Sequence, residues 1–364
     1  MDPYRSLLYC SHDRDKVSVW KWPSDFSSKQ ARLNTFSSAS SLSSSPFYYE
    51  TLDLSNHIET ERASFTFENE TNLSEGEENI SATSTTTATT GLSGGVNETV
   101  TSMEVVNPSL HTLLLVGTDA GVVRVWKGVE ERGNTEMVGC FRAVESEGKK
   151  SVKMVSDWNQ FSGTLMVGGD TGQVRLWDLE EEKLVQEFLT PSSVTNICSG
   201  LNSTGKLRLL TLSDGSVRVI DWREAQRSFS SKRGHLWSEH KKCIRSAHLS
   251  MDQKTIVAAD IDGLIKIFDV RSSVSVKTLK PKLKEFSCMT VHDFAPVIAC
   301  GSRNQKIVVI DTEGNELSVI RQHIGFLGQR ISSVTSLAFH PYKLFLAAGF
   351  SDSLASVYSP LHTY

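Results

Sequence analysis

Seven stretches of this chain repeat one pattern, and that repetition constrains the fold more than any single residue does. Each has an apolar run, a polar turn rich in Asp and Gly, and then an alternating run that ends in an aromatic residue or Ile. They are LLYCSHDRDKVSVW ending at Trp20, LLLVGTDAGVVRVW at Trp126, LMVGGDTGQVRLWD at Trp177, LLTLSDGSVRVID at Ile220, IVAADIDGLIKIFD at Phe268, IACGSRNQKIVVID at Ile310 and LAAGFSDSLASVY at Tyr358. From Trp126 the end-points advance by 51, 43, 48, 42 and 48 residues. Runs this short, punctuated by Gly, Asp and Pro, suit strands rather than helices. A period of roughly 40 to 50 residues with this form is that of a WD-type propeller, with four strands in each blade. Within the alternating runs VRVW, VRLW, VRVI and IKIF, apolar residues fall on one face and Arg or Lys on the other. That period of two predicts one buried face and one polar face. The expected fold is all-β, a seven-bladed WD40-type β-propeller.

Two features interrupt the pattern. From Trp20 to Trp126 the step is 106 residues, more than twice the period. The excess lies in 26–99, a Ser/Thr-rich stretch in which, from Glu50 onward, Asp53, Glu59, Glu61, Glu68, Glu70, Glu75, Glu77, Glu78 and Glu98 face one arginine, Arg62. Such a segment buries too little apolar surface to offset chain entropy, so it is expected to be a disordered insertion. Within it, Pro46 to Leu54 (PFYYETLDL) is apolar enough to supply the outer strand of the first blade. The division is therefore 1–25 as a partial first blade, 26–99 as the insertion and 100–364 as six further blades. Strand counting gives the second feature. Residues 1–25 start near the second strand of a blade, and the seventh repeat runs only to its third strand. One inner and one outer strand are wanting at the ring closure, and unpaired edges are a liability. The chain is expected to be the C-terminal part of something longer, or a truncated gene model.

Composition narrows the function. A net charge of -4 on 364 residues argues against a nucleic-acid or polyanion binder as a property of the whole molecule. The six cysteines (10, 140, 198, 243, 288 and 300) form no CxxC pair and have no histidine at ligand spacing, which reads as reduced buried thiols in a cytosolic protein. No apolar run approaches the length of a membrane span, and MDPYRSLLYC has neither the basic start nor the apolar core of a secretory signal. Sequons at Asn69, Asn72, Asn79, Asn97 and Asn202 are what Ser/Thr-rich sequence yields by chance.

The residues outside the repeat pattern are more individual. Gly325 to Pro341 (GFLGQRISSVTSLAFHP) resembles the last propeller blade of the raptor family, the regulatory-associated proteins of the TOR kinase, and the resemblance extends back through Gly301 to Gln305, residues 155–178 (VSDWNQFSGTLMVGGDTGQVRLWD) and Glu136-Met137-Val138. The resemblance covers about 102–359 together with 7–22. Its most specific residues are Gly325, Phe326, Gly328, Gln329, Arg330 and Asp157-Trp158. It implies a non-enzymatic scaffold portion of TOR complex 1 that acts in nutrient response and cell growth. The implied partners are components of the TOR kinase complex. The implied location is the cytoplasm, with recruitment to the lysosomal surface as a further expectation. The acidic insertion departs from the family pattern, and the family's caspase-like domain and helical solenoid are absent from these residues.

Catalytic motifs are not evident: there is no Gly-x-Ser-x-Gly elbow, no HExxH and no GxxxxGK[ST] phosphate loop. No metal ligand set and no cofactor are expected. His240 reads as a brace for its own blade, and Asp119, Asp170, Asp214 and Asp262 read as turn formers whose carboxylates accept backbone N–H bonds. Lys232, Arg233, Lys241, Lys242 and Arg245 form one basic cluster, and Lys277, Lys280, Lys282 and Lys284 another. Solvated loops are the plain reading, and an acidic-partner patch is the alternative. Phe326, Gly328, Gln329 and Arg330 are the candidate partner-binding residues, because a rigid aromatic beside a forked guanidinium makes an interface anchor. The plain alternative is that Phe326 fills a gap between blades and Arg330 pairs locally. Ser45-Pro46 is a candidate for proline-directed phosphorylation. Asp221-Trp222-Arg223 and Asp269-Val270-Arg271 resemble the Asp-x-Arg box of WD-repeat receptors for cullin-type ubiquitin ligases. A stand-alone WD-repeat adaptor or such a receptor is therefore the alternative function.

Overall fold

The computed structural model describes residues 7–12, 16–21, 31–34, 48–53, 98–108, 111–129, 134–145, 151–199, 207–221, 235–321, 332–352 and 354–360. Six four-stranded antiparallel sheets follow one another along the chain. Blade 1 spans 100–142, blade 2 154–189, blade 3 194–237, blade 4 244–279 and blade 5 286–320. Blade 6 combines Val334–Phe339, Leu346–Phe350 and Leu354–Tyr358 with a fourth strand, Ala31–Asn34. In blades 1 to 5 the strands are hydrogen-bonded in sequence order, and the first strands of successive blades lie side by side at the centre.

The expected seven-bladed ring, wanting one inner and one outer strand, is corrected by this count: the described residues form six blades, not seven. The first repeat, Leu7–His12 and Lys16–Lys21, is joined by Tyr48–Asp53 into a three-stranded sheet with no first strand among the described residues. The outer strand expected to be missing is present. Ala31–Asn34 pairs antiparallel with Leu354–Tyr358, with Ala31 opposite Val357 and Asn34 opposite Leu354. Both added strands come from 26–99, the stretch expected to be a disordered insertion. Tyr48–Asp53 is the outer strand expected within Pro46 to Leu54, whereas the composition average hid Ala31–Asn34, a short segment that pairs through its backbone. Residues 54–97 lie outside the described residues.

Apolar residues of the second and third strands fill the spaces between sheets. Leu7, Tyr9, Val17 and Val19 of the three-stranded sheet pack with Leu114, Val116 and Trp126 of blade 1. Met166, Val174 and Leu176 of blade 2 pack with Ile197, Leu210 and Leu212 of blade 3. Because each blade is sandwiched between neighbours, the predicted polar face of the third strand is covered as well. Arg124 and Arg175 occupy the same register position in blades 1 and 2, opposite Val116 and Val167, and both are buried. A buried charge needs a partner. Arg124 lies 2.8 Å from Glu98, and Arg175 lies 3.1 Å from Glu187 and 3.2 Å from Glu145. In blade 4, Lys266 occupies the position opposite Ala258 and meets Glu239 at 2.7 Å.

The first strands are joined sideways by polar contacts. Glu104 of blade 1 accepts hydrogen bonds from Ser156 Oγ (2.8 Å) and Trp158 N (2.7 Å) of blade 2. Asp157, between those two residues and at the register position equivalent to Glu104, accepts from Ser199 N (2.8 Å) and Ser199 Oγ (3.1 Å), just beyond the first strand of blade 3. Arg208 of blade 3, wholly buried, reaches back to place Nε 3.2 Å from Asp157 Oδ2. Farther round, Ser246 Oγ of blade 4 accepts from Met289 N of blade 5 (3.2 Å), and Arg245 Nε donates to Ser287 O (3.0 Å). Burial, and after it the Asp157 carboxylate, push Glu104 up to about 7.

Removing one partner of a buried ion pair leaves the other charge uncompensated. Arg208→Met is therefore expected to lower unfolding stability by about 3 kcal/mol, measured as a shift in denaturant midpoint at unchanged slope. A further Asp157→Leu substitution should recover part of the loss. A single variant as stable as the parent would remove the pair from this account.

A carboxyl raised in the folded state holds its proton where the unfolded chain has already lost it, so its contribution to stability falls as pH rises from the ordinary carboxylate range through about 7. Thermal melts from pH 5 to 8 should show the parent losing more stability with rising pH than Glu104→Gln. Parallel pH profiles would refute this.

Candidate interaction surfaces

Antiparallel topology sorts the loops onto two faces of the ring. One face carries the turns between second and third strands and the linkers from one blade to the next. The other carries the turns between first and second strands and those between third and fourth.

On the first face the turn aspartates act as local acceptors. Asp119 accepts from Thr99 N (2.8 Å), Thr99 Oγ1 (2.6 Å) and Ser151 Oγ (3.3 Å). Asp170 accepts from Lys153 N (3.1 Å), and Asp214 from Ser216 N (2.9 Å) and Ser216 Oγ (2.7 Å). In blade 4 the role expected of Asp262 belongs to Asp260, which accepts from Asp262 N and Leu264 N, both at 3.0 Å. Asp262 instead meets Lys242 at 2.6 Å. Gly215 closes the blade 3 turn at φ +87°, where a Cβ would lie 2.4 Å from His240 O. The site tolerates only glycine.

His240 sits in the linker that enters blade 4, with Nδ1 3.2 Å from Asp260 Oδ2. Burial lowers its pKa, which favours the neutral ring with Nδ1–H donating to the carboxylate. Trp237 packs on Phe268 at 5.6 Å between ring centroids and donates Nε1–H to Ser272 O at 2.8 Å. His240, Asp260, Trp237 and Phe268 therefore brace blade 4 against the linker from blade 3.

The opposite face shows a feature that sequence reasoning missed. His292 Nδ1 accepts from Phe294 N (3.1 Å) and Ala295 N (3.0 Å), and His340 Nδ1 accepts from Tyr342 N and Lys343 N (both 3.1 Å). Asn159 Oδ1 does the same for Phe161 N (3.0 Å) and Ser162 N (3.1 Å). An Nδ1 that accepts two N–H groups carries no proton, so His292 bears its hydrogen on Nε2, which lies 3.3 Å from Lys343 O. The residue two places after each cap is an exposed aromatic: Phe161 (67% exposed), Phe294 (55%) and Tyr342 (50%). The Phe294 and Tyr342 rings, from blades 5 and 6, lie 5.6 Å apart. The signal for these turns was a His or Asn two places before an aromatic, at the end of the first strand or directly after it.

The other expected residues divide as follows. Phe326, Gly328, Gln329, Arg330 and Ser45 lie outside the described residues, as do Lys232, Arg233 and Trp222-Arg223. Arg271 is exposed and folds back on its own Asp269, with Nη2–Oδ2 at 2.8 Å and Nε–Oδ1 at 3.1 Å. All six cysteines are free, and burial pushes the Cys300 thiol up to about 12, which keeps it protonated. Among the described residues, no three His, Cys, Asp or Glu side chains gather as a metal set, and no helix is long and apolar enough to cross a membrane.

The chain matches the family model "WD domain, G-beta repeat" at residues 231–269 and 319–359. It is 34% identical over 270 residues to a protein raptor homolog of Dictyostelium discoideum, covering 71% of this chain and 18% of that protein. It is 30% identical over 274 residues to the target of rapamycin complex 1 subunit mip1 of Schizosaccharomyces pombe, covering 73% of this chain and 20% of that one. In fold it is similar to the crystal structure of Chaetomium thermophilum Raptor, with a TM-score of 0.72 at 20% identity, over 99% of this chain and 27% of that one. The chain thus spans about a fifth of the length of the curated relatives it matches. With sequence similarity over about 71% of its length, the WD-repeat match and the same fold, the chain is similar to raptor homologues, consistent with a WD-repeat propeller portion.

Proposed function

We propose that the chain is the propeller portion of a raptor-type scaffold subunit of TOR complex 1, and that it works by binding rather than by catalysis. The observation that carries this reading is the 34% identity over 270 residues to a raptor homolog. A ring whose blades are locked to one another by buried ion pairs and backbone bonds keeps its two loop faces in fixed relation. That rigidity suits a part that holds a kinase near its substrates in nutrient and growth signalling, because preformed surfaces lose little entropy on docking. Phe326, Gly328, Gln329 and Arg330 are the anchor residues of this proposal, and Ser45 is its site of regulatory phosphorylation. The protein works in the cytoplasm and is recruited to the lysosomal surface.

The test is affinity capture of the protein from cells of its own source, tagged at the endogenous locus. TOR kinase is expected in the eluate, and Phe326→Ala with Arg330→Ala should reduce its recovery about tenfold, the loss of a single hot spot of roughly 1.4 kcal/mol. An eluate without TOR kinase would end the scaffold reading. Undiminished recovery with the double variant would end the role given to the two anchors.

A further inference from the structure

The sequence carries its lysines in separate places, and the fold gathers several of them on one rim. Lys280, Lys282 and Lys284 lie in the linker from blade 4 to blade 5. The turn of blade 5 that carries Arg303 is fastened to this linker. Arg303 N donates to Glu285 O (2.9 Å), Ser302 Oγ donates to Lys284 O, and Lys306 Nζ donates to Lys282 O (3.1 Å). The linker from blade 3 to blade 4, with Lys241, is fastened to the same region from the other side. Ile261 N donates to Cys243 O (3.0 Å), and a Cβ at Gly263 would lie 3.2 Å from Phe286 Cβ. The two cationic linkers therefore flank the single turn at Asp260 to Gly263.

Acids near this rim are few and mostly engaged. Asp262 is paired with Lys242, Glu239 is held by Lys266, Asp214 in the turn against the Lys241 linker accepts from Ser216, and Glu285 is exposed. Elsewhere on the ring Lys127, Lys183, Lys254 and Lys277 each have an acid within ion-pair distance. Among the described residues, Lys241, Lys280, Lys282, Lys284 and Arg303 have none, and all five are exposed. The net charge of -4 conceals this, because nine acids and one arginine in 51–98 outweigh it and leave the rest of the chain net positive.

We propose that this rim is a docking site for an extended acidic peptide, a carboxylate-rich segment of a partner protein laid along the two linkers. Charge complementarity selects the occupant. Lysine ammoniums spread along two strands of linker are separate point charges, which suit successive carboxylates. A phosphate clamp would need converging forked guanidiniums, and Arg303 alone supplies one. Nucleic acid fits less well, because the exposed aromatics Phe161, Phe294 and Tyr342 stand on the opposite face and base stacking has no platform here. A flat anionic membrane would also meet Glu285 and Asp262, whereas a single extended chain can pass beside them. Each exposed contact is weak, so the attraction is collective, dependent on salt and fast to form.

The experiment uses the full 364-residue chain and a fluorescein-labelled peptide of about fourteen residues in which Glu alternates with Gly or Ser, followed by fluorescence anisotropy. Binding is expected at about 50 mM salt and should weaken about tenfold by 200 mM. Lys280→Glu, Lys282→Glu and Lys284→Glu together should weaken it at least about tenfold, while Lys183→Glu with Lys254→Glu should leave it unchanged. If circular dichroism shows the triple variant unfolded, Lys241→Glu with Arg303→Gln is read against the same threshold. Equal binding by the rim variants, equal loss in the control, or binding to phosphatidylserine vesicles without binding to the peptide would each overturn the proposal. The assay contains no TOR component, so its failure leaves the scaffold reading standing.

Discussion

Closure is the constraint on which this ring depends. A stack of sheets buries its faces only while every blade has a neighbour on each side, so one open joint would return apolar surface to water along two blades. Here the joint is made by backbone. Ala31–Asn34 completes blade 6 by pairing with Leu354–Tyr358, and Tyr48–Asp53 then pairs with Lys16–Lys21 in the three-stranded sheet. The chain visits the first sheet, the last blade and the first sheet again. Only residues 22–30 separate the first two visits, a reach of about 35 Å at full extension. A connection that short keeps the last blade and the first sheet within that reach, so the order of pairing itself limits how far apart the ends of the stack can lie.

The same sandwiching governs the charges. In an isolated sheet, Arg124 and Arg175 would face water and pair with nothing in particular. Between blades they are buried and demand acids, and Glu98, Glu145 and Glu187 supply them. At the centre, Glu104 and Asp157 use one position in two successive blades for one purpose, each accepting a backbone N–H from the next blade. Apolar packing between sheets is indifferent to small sliding. These hydrogen bonds are directional and hold the blades at one register.

The repeats were legible because a strand-turn-strand unit leaves a local record: alternation of period two and an Asp/Gly turn at fixed spacing. LMVGGDTGQVRLWD and IVAADIDGLIKIFD announce their strands without help from the rest of the chain. The brace at His240 was legible for the same reason. ARLN was not. A four-residue outer strand has no room for a pattern, and its pairing partner lies at the far end of the sequence. The completeness of the last blade depended on that strand, so it was misjudged too, whereas Tyr48–Asp53 was legible in PFYYETLDL. The polar face of the third strand was read correctly as polar, but its burial between blades was not legible, because periodicity reports which residues share a face and says nothing of what covers it.

The candidate surfaces were illegible for a related reason, since a surface is assembled from residues far apart in sequence. The lysines at 241 and 280–284 looked like two loops until the turn at Asp260 to Gly263 was seen between them. The aromatics at 161, 294 and 342 looked like unrelated exposed residues. Each follows a side chain whose acceptor atom holds two successive backbone N–H groups, and that cap fixes the turn in one shape. In that shape the residue two places on turns outward, whatever its identity, and in these three blades it is aromatic. A propeller thus converts one repeated local geometry into a set of projections on one face, while its linkers gather charge on the other. The two faces differ in chemistry because each is built from a different phase of the same repeat.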